Sequence, residues 1–250
     1  MAGERAEDRR VFTITGADRE KFLQNIVTND LKRLRDGIVY TALLTPQGKY
    51  LADFFLVPMG EAILLDVHES LAADLVRRLT MYKLRADAQI AESPLNVSRG
   101  LGPAPEGALP DPRHPELGWR LYSETEGGAP QIDWDAIRVA QCIPETGIEL
   151  IPNDTFLLEA GFERLNGVDF RKGCYVGQEV TARMKHKTEL KKGLAVVEVS
   201  REAAPGTPIT ADGKPAGTLY TRSGDRAIAY LRFDRAEGEM QAGEATVRYV

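Results

Sequence analysis

Two cysteines and three histidines in 250 residues leave this chain little with which to build a metal centre of its own. Cys142, Cys174, His68, His114 and His186 are scattered without ligand spacing, so a four-cysteine cluster site or a zinc site made by this chain alone is excluded. Any metal chemistry would need ligands shared with a partner. A single intramolecular disulfide is the most two cysteines allow, and in a reducing compartment free thiols are the expectation. No apolar run approaches the length of a membrane span. The first residues, MAGERAEDRRVFTITG, are charged where a signal peptide needs an apolar core, so the expected location is cytoplasmic, with no membrane partner. Positive charge is also in short supply: a net charge of -5 and a pI near 5.4 oppose nonspecific nucleic-acid binding by the protein as a whole. What is present is ordinary for a globular chain with a sizeable core, 43% hydrophobic and 28% charged, and the length suits two or three structural units.

Along the chain, VFTIT at 11–15 reads as a strand. GADREKFLQNIVTNDLKRL follows, with Asp18 as a candidate N-cap and Phe22, Leu23, Ile26, Val27, Leu31 and Leu34 at helical spacing, which predicts one helix packed on one face. The segment 37–67 reads as a β-meander of apolar, central strands with turns at Pro46-Gln47-Gly48 and Met59-Gly60. Leu71, Leu75 and Leu79 predict a second amphipathic helix, with Ser70 available as its cap, before a strand near 88–91. Six prolines between Pro94 and Leu117 predict a long connection without regular structure. WRLYSE resumes as a strand, and IDWDAIRVAQCI reads as a helix ended by Pro144, with Cys142 as a small core residue within it. From Leu194 onward, alternating segments and turns predict a compact all-β unit that looks like a small barrel. No internal repeat and no low-complexity tract stands out apart from the proline-rich connection.

One stretch does not fit a purely structural reading. RKGCYVGQEVTARMKHK, residues 171–187, sets Cys174 among polar and basic side chains, with Gly173 and Gly177 on either side. The glycines predict a tight loop able to present the sulfur. Arg171, Lys172, Arg183, Lys185, Lys187, Lys191 and Lys192 surround it with positive charge, opposed within the segment by Glu179 and Glu189. Such charge favours thiolate, for use as a nucleophile or a soft metal ligand, and could equally hold an anionic ligand. The competing reading is an inert cysteine beside a solvated basic surface.

The run K-G-C-Y-V-G-Q-E, Lys172 to Glu179, followed by Arg183, closely resembles the signature of the YgfZ family. These are relatives of the glycine-cleavage T-protein (GcvT, an aminomethyltransferase) that bind folate and assist iron-sulfur proteins. GADREKFLQNIVTND is similar to that family's G-x-D-x-x-x-F-L-Q-x-x-x-T-N-D segment, and LLTPQGKYLADFFLV to the strand pair after it. The resemblance also takes in the 137–170 segment and the C-terminal barrel, and is weakest in the proline-rich connection. It implies an α+β, GcvT/YgfZ-like folate-binding fold over residues 1–192, divided roughly into 11–50 with 118–192 and 51–117, followed by a barrel over 193–250.

The resemblance also implies a site. Asp53 matches an acidic residue near the reactive part of the folate, where a carboxylate can bind N–H groups or tune protonation during one-carbon transfer. Glu159 resembles a T-protein glutamate that accepts hydrogen bonds from the pterin ring, an edge that suits a carboxylate because it offers two parallel N–H donors. Lys172, Tyr175 and Arg183 are the remaining expected cofactor contacts, with Phe54 and Phe170 as further apolar walls, and Cys174 joins Asp53 as the chemically active pair. The implied cofactor is tetrahydrofolate or a derivative, and the implied partners are iron-sulfur client or assembly proteins, with Cys174 as a transient shared cluster ligand. Two other functions share these features: a tetrahydrofolate-dependent aminomethyltransferase of the glycine-cleavage type, and an RNA-binding or RNA-modifying factor suggested by the basic run 183–192.

Overall fold

The computed structural model describes residues 3–186 and 189–250. The expected α+β architecture is present: strands β1 (Glu4–Arg5), β2 (Arg9–Thr15), β3 (Val39–Leu44), β4 (Tyr50–Met59), β5 (Ala62–His68), β6 (Gln89–Glu92), β7 (Asn96–Gly100), β8 (Leu109–Pro110) and β9 (Trp119–Ser123) come with helices α1 (Arg19–Gln24) and α2 (Glu69–Tyr82). They make a five-stranded sheet in the order β3-β4-β5-β2-β6 and a four-stranded sheet in the order β1-β7-β9-β8. Helices α3 (Trp134–Ala140) and α4 (Gln178–His186) precede strands β10 (Lys192–Val199), β11 (Pro208–Ala211), β12 (Lys214–Ser223), β13 (Arg226–Arg232), β14 (Met240–Ala242) and β15 (Ala245–Tyr249). These six strands close into the expected barrel. No helix among the described residues is long and apolar enough to cross a membrane.

The chain folds as two compact units, one containing the residues up to Gln131 together with Glu163–Gln178, the other Ile132–Phe162 and everything from Glu179 to Val250. The division differs from the expected boundary at 192/193: the 132–162 segment groups with the barrel. A physical reason is visible at α3. Arg138 is buried and donates to Thr221 Oγ1 of β12 at 3.1 Å and to Glu149 at 3.3 Å, while Glu149 also accepts from the Thr221 amide and hydroxyl.

In the first unit the interior strand β4 is buried from Tyr50 to Val57 on both faces, which is why it reads as a nearly continuous apolar run. The two faces nevertheless differ. Ala52, Phe54 and Leu56 alternate onto a hydrocarbon core shared with Phe22, Leu23, Leu75 and Leu79. Asp53 and Phe55 point to the opposite face, where register places Phe55 between Tyr40 of β3 and Asp66 of β5.

Several local expectations need correction. The single helix expected from Asp18 to Leu34 is two pieces, α1 and a 3-10 turn at Leu31–Arg35, although all six apolar residues named for it are buried. The β-branched run Ile26-Val27-Thr28 leaves the helix: Val27 bridges to Leu43 and the Thr28 amide donates to Ala42 O at 3.1 Å. Asp30 then caps the new turn by accepting from the Lys32 amide. At α2 the cap is His68, whose Nδ1 accepts from the Ser70 amide, and Ser70 lies inside the helix. The proline-rich connection contains β7, β8 and a short 3-10 turn at Pro115–Leu117: β7 holds no proline, and Pro110 of β8 lies on an edge strand, where a missing amide is tolerated. Cys142 lies beyond the end of α3, half-buried and with φ of +50°, instead of in the helix core.

Candidate functional site

The expected site residues fall in both units, and each group has its own environment. In the first unit Asp53 is buried, with Tyr50 donating its hydroxyl to Oδ1 at 2.6 Å and Tyr40 donating to Oδ2 at 3.0 Å. Two phenols therefore fix the plane of the carboxyl group. Beneath it lies a charge cluster that composition does not announce. Arg9, Arg113 and Arg120 set their guanidinium carbons 5.4, 4.9 and 4.1 Å from the centroid of the Phe55 ring.

Carboxylates hold each of these cations. Asp66 accepts from Arg9 Nε at 2.6 Å, from Arg120 at 2.6 Å and from the Tyr122 hydroxyl at 2.8 Å. Asp111 takes Arg113 in a two-point pair at 3.0 and 2.9 Å. Burial alone would raise the pKa of Asp66, but Arg9 and Arg120 outweigh it and hold the carboxyl at about 2. Burial raises the phenol of Tyr40, and the nearby Asp53 charge adds to that, so Tyr40 remains a hydrogen-bond donor toward Asp53.

The cysteine loop belongs to the same unit. Cys174 is exposed and outside regular structure. Two residues beside it are buried, Lys172 and Tyr175, and the Lys172 ammonium stands 5.2 Å from the Tyr175 ring centroid. Gly177 has φ of +82°, and a Cβ there would meet Thr45 O at 2.6 Å, so the loop needs glycine at this point. Gly173 differs from expectation, since a Cβ there would enter open space.

Lys172 is likewise arranged differently from the expected ligand contact. Its three donors go to the carbonyls of Gln24 at 2.7 Å, Val27, and Asn29 at 3.0 Å. Burial pushes the ammonium down to about 8, with Asp30 and Asp169 opposing the shift. Of the surrounding positive charges, Arg171 is exposed, and Lys187 lies outside the described residues. Phe54 is core, and Phe170 is half-buried.

In the second unit Glu159 is half-buried on the turn before Gly161, and its Oε2 accepts the Tyr230 hydroxyl of β13 at 2.7 Å. Burial and the adjacent carboxylate raise the Tyr230 phenol, which keeps it a donor. Glu159 Oε1 has no hydrogen-bond partner among the described residues. The Glu159 carbonyl accepts from the Leu194 amide at 2.7 Å, tying this turn to β10. Arg183 is exposed on α4.

Sequence reasoning missed Tyr40, Tyr50, the three arginines and Tyr230. A charged residue within the apolar β5 segment ILLDV was the available signal for Asp66, since an aspartate in a two-sided strand requires a buried cation. Arg113, between two prolines' worth of turn, carried no such signal.

Comparison with known proteins extends these findings. Residues 191–250 match the model of the CAF17 C-terminal beta-barrel domain. The iron-sulfur cluster assembly factor IBA57 homolog, mitochondrial, of Pyricularia oryzae is 31% identical over 88% of this chain, and the chain spans 65% of that relative, under two thirds of its length. The mitochondrial iron-sulfur cluster assembly factor IBA57 of Mus musculus is 29% identical over 94% of this chain and 79% of its own. In three dimensions the chain resembles glycine cleavage system aminomethyltransferase T from Bartonella henselae, with a TM-score of 0.72, 12% identity, and coverage of 100% of this chain and 86% of that one. At that identity the likeness concerns the fold. By motif, by fold and by these relatives, the chain is similar to the IBA57/YgfZ family, and it has a GcvT-like α+β fold closed by a CAF17-type six-stranded barrel.

Proposed function

We propose that this chain is a folate-binding accessory factor for iron-sulfur cluster assembly, in which Cys174 serves as an exchangeable ligand for a cluster in transit. The observation that carries the reading is an exposed thiol between two buried, anchored neighbours, Lys172 and Tyr175. A cysteine displayed in this way is available to an incoming protein. Among the described residues no three His, Cys, Asp or Glu side chains stand together to hold a metal ion, so the partner would supply the other cluster ligands. The relatives' description as assembly factors supports the same partner class.

The folate part of the proposal rests on the two carboxylates. Glu159 fits a pterin edge: it is half-buried, its carboxylate is oriented by Tyr230, and Oε1 is available to a donor. In the first unit, Asp53 is by itself a second candidate for folate N–H groups, its orientation set by Tyr40 and Tyr50. Within the first unit Tyr175 would provide wall surface; within the second, Arg183 is an exposed cation suited to an anionic folate tail. Bound folate would supply a ligand-dependent conformation or a one-carbon acceptor, and this chain's contribution is to bind and orient it. The thiol requires a reducing compartment, such as the cytoplasm or the mitochondrial setting named for the relatives.

Cys174→Ala should leave the protein folded and its folate affinity intact while iron-sulfur enzyme activity falls in cells that depend on it. Unchanged client activity would remove the thiol from the function. The buried Asp53, held by Tyr40 and Tyr50, favours the aminomethyltransferase as a second reading. Methylene-tetrahydrofolate formed from a lipoyl carrier and tetrahydrofolate by the purified chain would favour that reading over the first.

A further inference from the structure

Lys172 and Gln24 lie 148 residues apart in sequence and meet in a buried hydrogen-bond cluster. We infer that Lys172 is a positioning residue for Cys174, its ammonium fastening the thiol loop to the turn at residues 24–29. The purpose of this fastening rests on the proposed function, while its geometry does not.

The turn is built to receive a cation. In a continuing helix the carbonyls of Gln24, Val27 and Asn29 would accept from the amides of Thr28, Leu31 and Arg33. Each of those amides points elsewhere: Thr28 N to Ala42 O, Leu31 N to Gln24 Oε1, and Arg33 N to Asp30 O. Three carbonyls are thereby released from helical pairing, and Lys172 Nζ takes all three. An ammonium has three hydrogens, so donors and acceptors match in number.

Adjacent bonds keep the two segments together. Thr28 Oγ1 donates to Gly167 O at 2.7 Å, Asn29 Nδ2 donates to Asn166 O at 2.6 Å, and the Asp169 amide donates to Thr28 O at 3.1 Å. Asp169 also pairs with Arg33 at 3.1 Å. On the far side of the cysteine, Gly177 packs against Thr45 and Gly48. Cys174 therefore hangs between two anchors, at 172 and 177. Removing the first would leave three carbonyls unpaired, those of Val27 and Asn29 buried and that of Gln24 partly so, a cost the loop avoids by lifting away so that water can reach them.

The test compares the full-length wild type with Lys172→Met and Lys172→Arg, without folate, cluster or client. A nitroxide on Cys174 reports loop motion, the signal from labelled Cys142 being subtracted with the Cys174→Ala protein. Amide hydrogen exchange covers both segments. In Lys172→Met the nitroxide spectrum should narrow, and exchange at 24–31 and 169–177 should quicken together by about tenfold or more, the factor expected for losing a charge-assisted hydrogen bond. Barrel strands 192–249 should keep their protection. Lys172→Arg, which retains donors, should recover a measurable part of the loss in both segments. Unchanged motion and exchange in Lys172→Met, a response in only one segment, or an arginine variant indistinguishable from methionine would each overturn the inference. If Lys172→Met does not fold, Lys172→Gln, with two donors, takes its place under the same criteria. Because no ligand or client is present, a negative result leaves the proposed function standing, and failure of the client assay leaves this inference standing.

Discussion

Asp53 and Glu159 look equivalent as sequence, each an acidic side chain next to apolar residues, yet their surroundings differ in kind. Asp53 is buried, held by two phenols and backed by three guanidinium groups around one phenylalanine ring. Glu159 is half-buried, held by one phenol, with an oxygen to spare. The contrast teaches that the first is part of a polar core and the second is a partly exposed carboxylate attached to a barrel strand. Disturbing the region of Asp53 should therefore register first as lost stability, and disturbing the region of Glu159 as lost binding.

The largest effect is expected at Asp66, which faces two of the three arginines. Asp66→Asn leaves Arg9 and Arg120 buried without their shared counter-charge, and breaking a buried pair in this way costs about 3–5 kcal/mol. Urea unfolding should show that loss, and a change below about 1 kcal/mol would mean that the cluster is solvated in practice. The same residue predicts a pH dependence. A folded-state pKa depressed from 3.8 to about 2 contributes stability that is fully present above the unfolded value and disappears as pH falls through the folded one. The gap between wild type and Asp66→Asn should thus be near constant above about pH 4 and should narrow by about 2 kcal/mol toward pH 2, the remainder being the pH-independent cost of the altered cluster. A gap as wide at pH 2 as at pH 5 would separate Asp66 from the acid transition.

How far the sequence could carry this comparison depended on the kind of interaction. The meander, the barrel and the second helix were legible because hydrophobic period and turn chemistry are local signals. The polar face of β4 was not. Phe54 and Phe55 are adjacent letters of similar hydrophobicity, and only pairing with β3 and β5 shows that one meets hydrocarbon and the other three arginines. The cysteine loop was legible as a motif, but Lys172 was assigned to a ligand because its carbonyl partners lie in a turn that the helical pattern concealed. β7 was hidden by neighbouring prolines, whose effect on local structure does not extend through the ladder residues Val97 and Ser98.

On the Glu159 side the expected losses are smaller and of a different type. Glu159→Ala removes one hydrogen bond at a half-buried position, so stability should fall by only about 1 kcal/mol. Folate affinity should fall about tenfold or more, as charge-assisted bonds to the pterin edge are lost. Calorimetric titration with tetrahydrofolate decides the matter, and an unchanged Kd takes Glu159 out of the site.

The smallest change asks whether Tyr230 acts only through Glu159. Its hydroxyl donates to Oε2 at 2.7 Å and keeps its proton because burial and the carboxylate both raise the phenol. Tyr230→Phe preserves the ring and removes the bond, leaving water to solvate a carboxylate that is already partly exposed, so the stability cost should be about 0.5–1 kcal/mol. The carboxylate then loses its fixed plane, and folate Kd should rise by a factor of roughly two to five, less than for deletion of Glu159 itself. In the Glu159→Ala background the same substitution should have no further effect on Kd, because nothing is left to orient. Equal losses in both backgrounds would show that Tyr230 contacts the ligand by itself, and the contrast between a fixed acid and an orientable one would then have to be drawn differently.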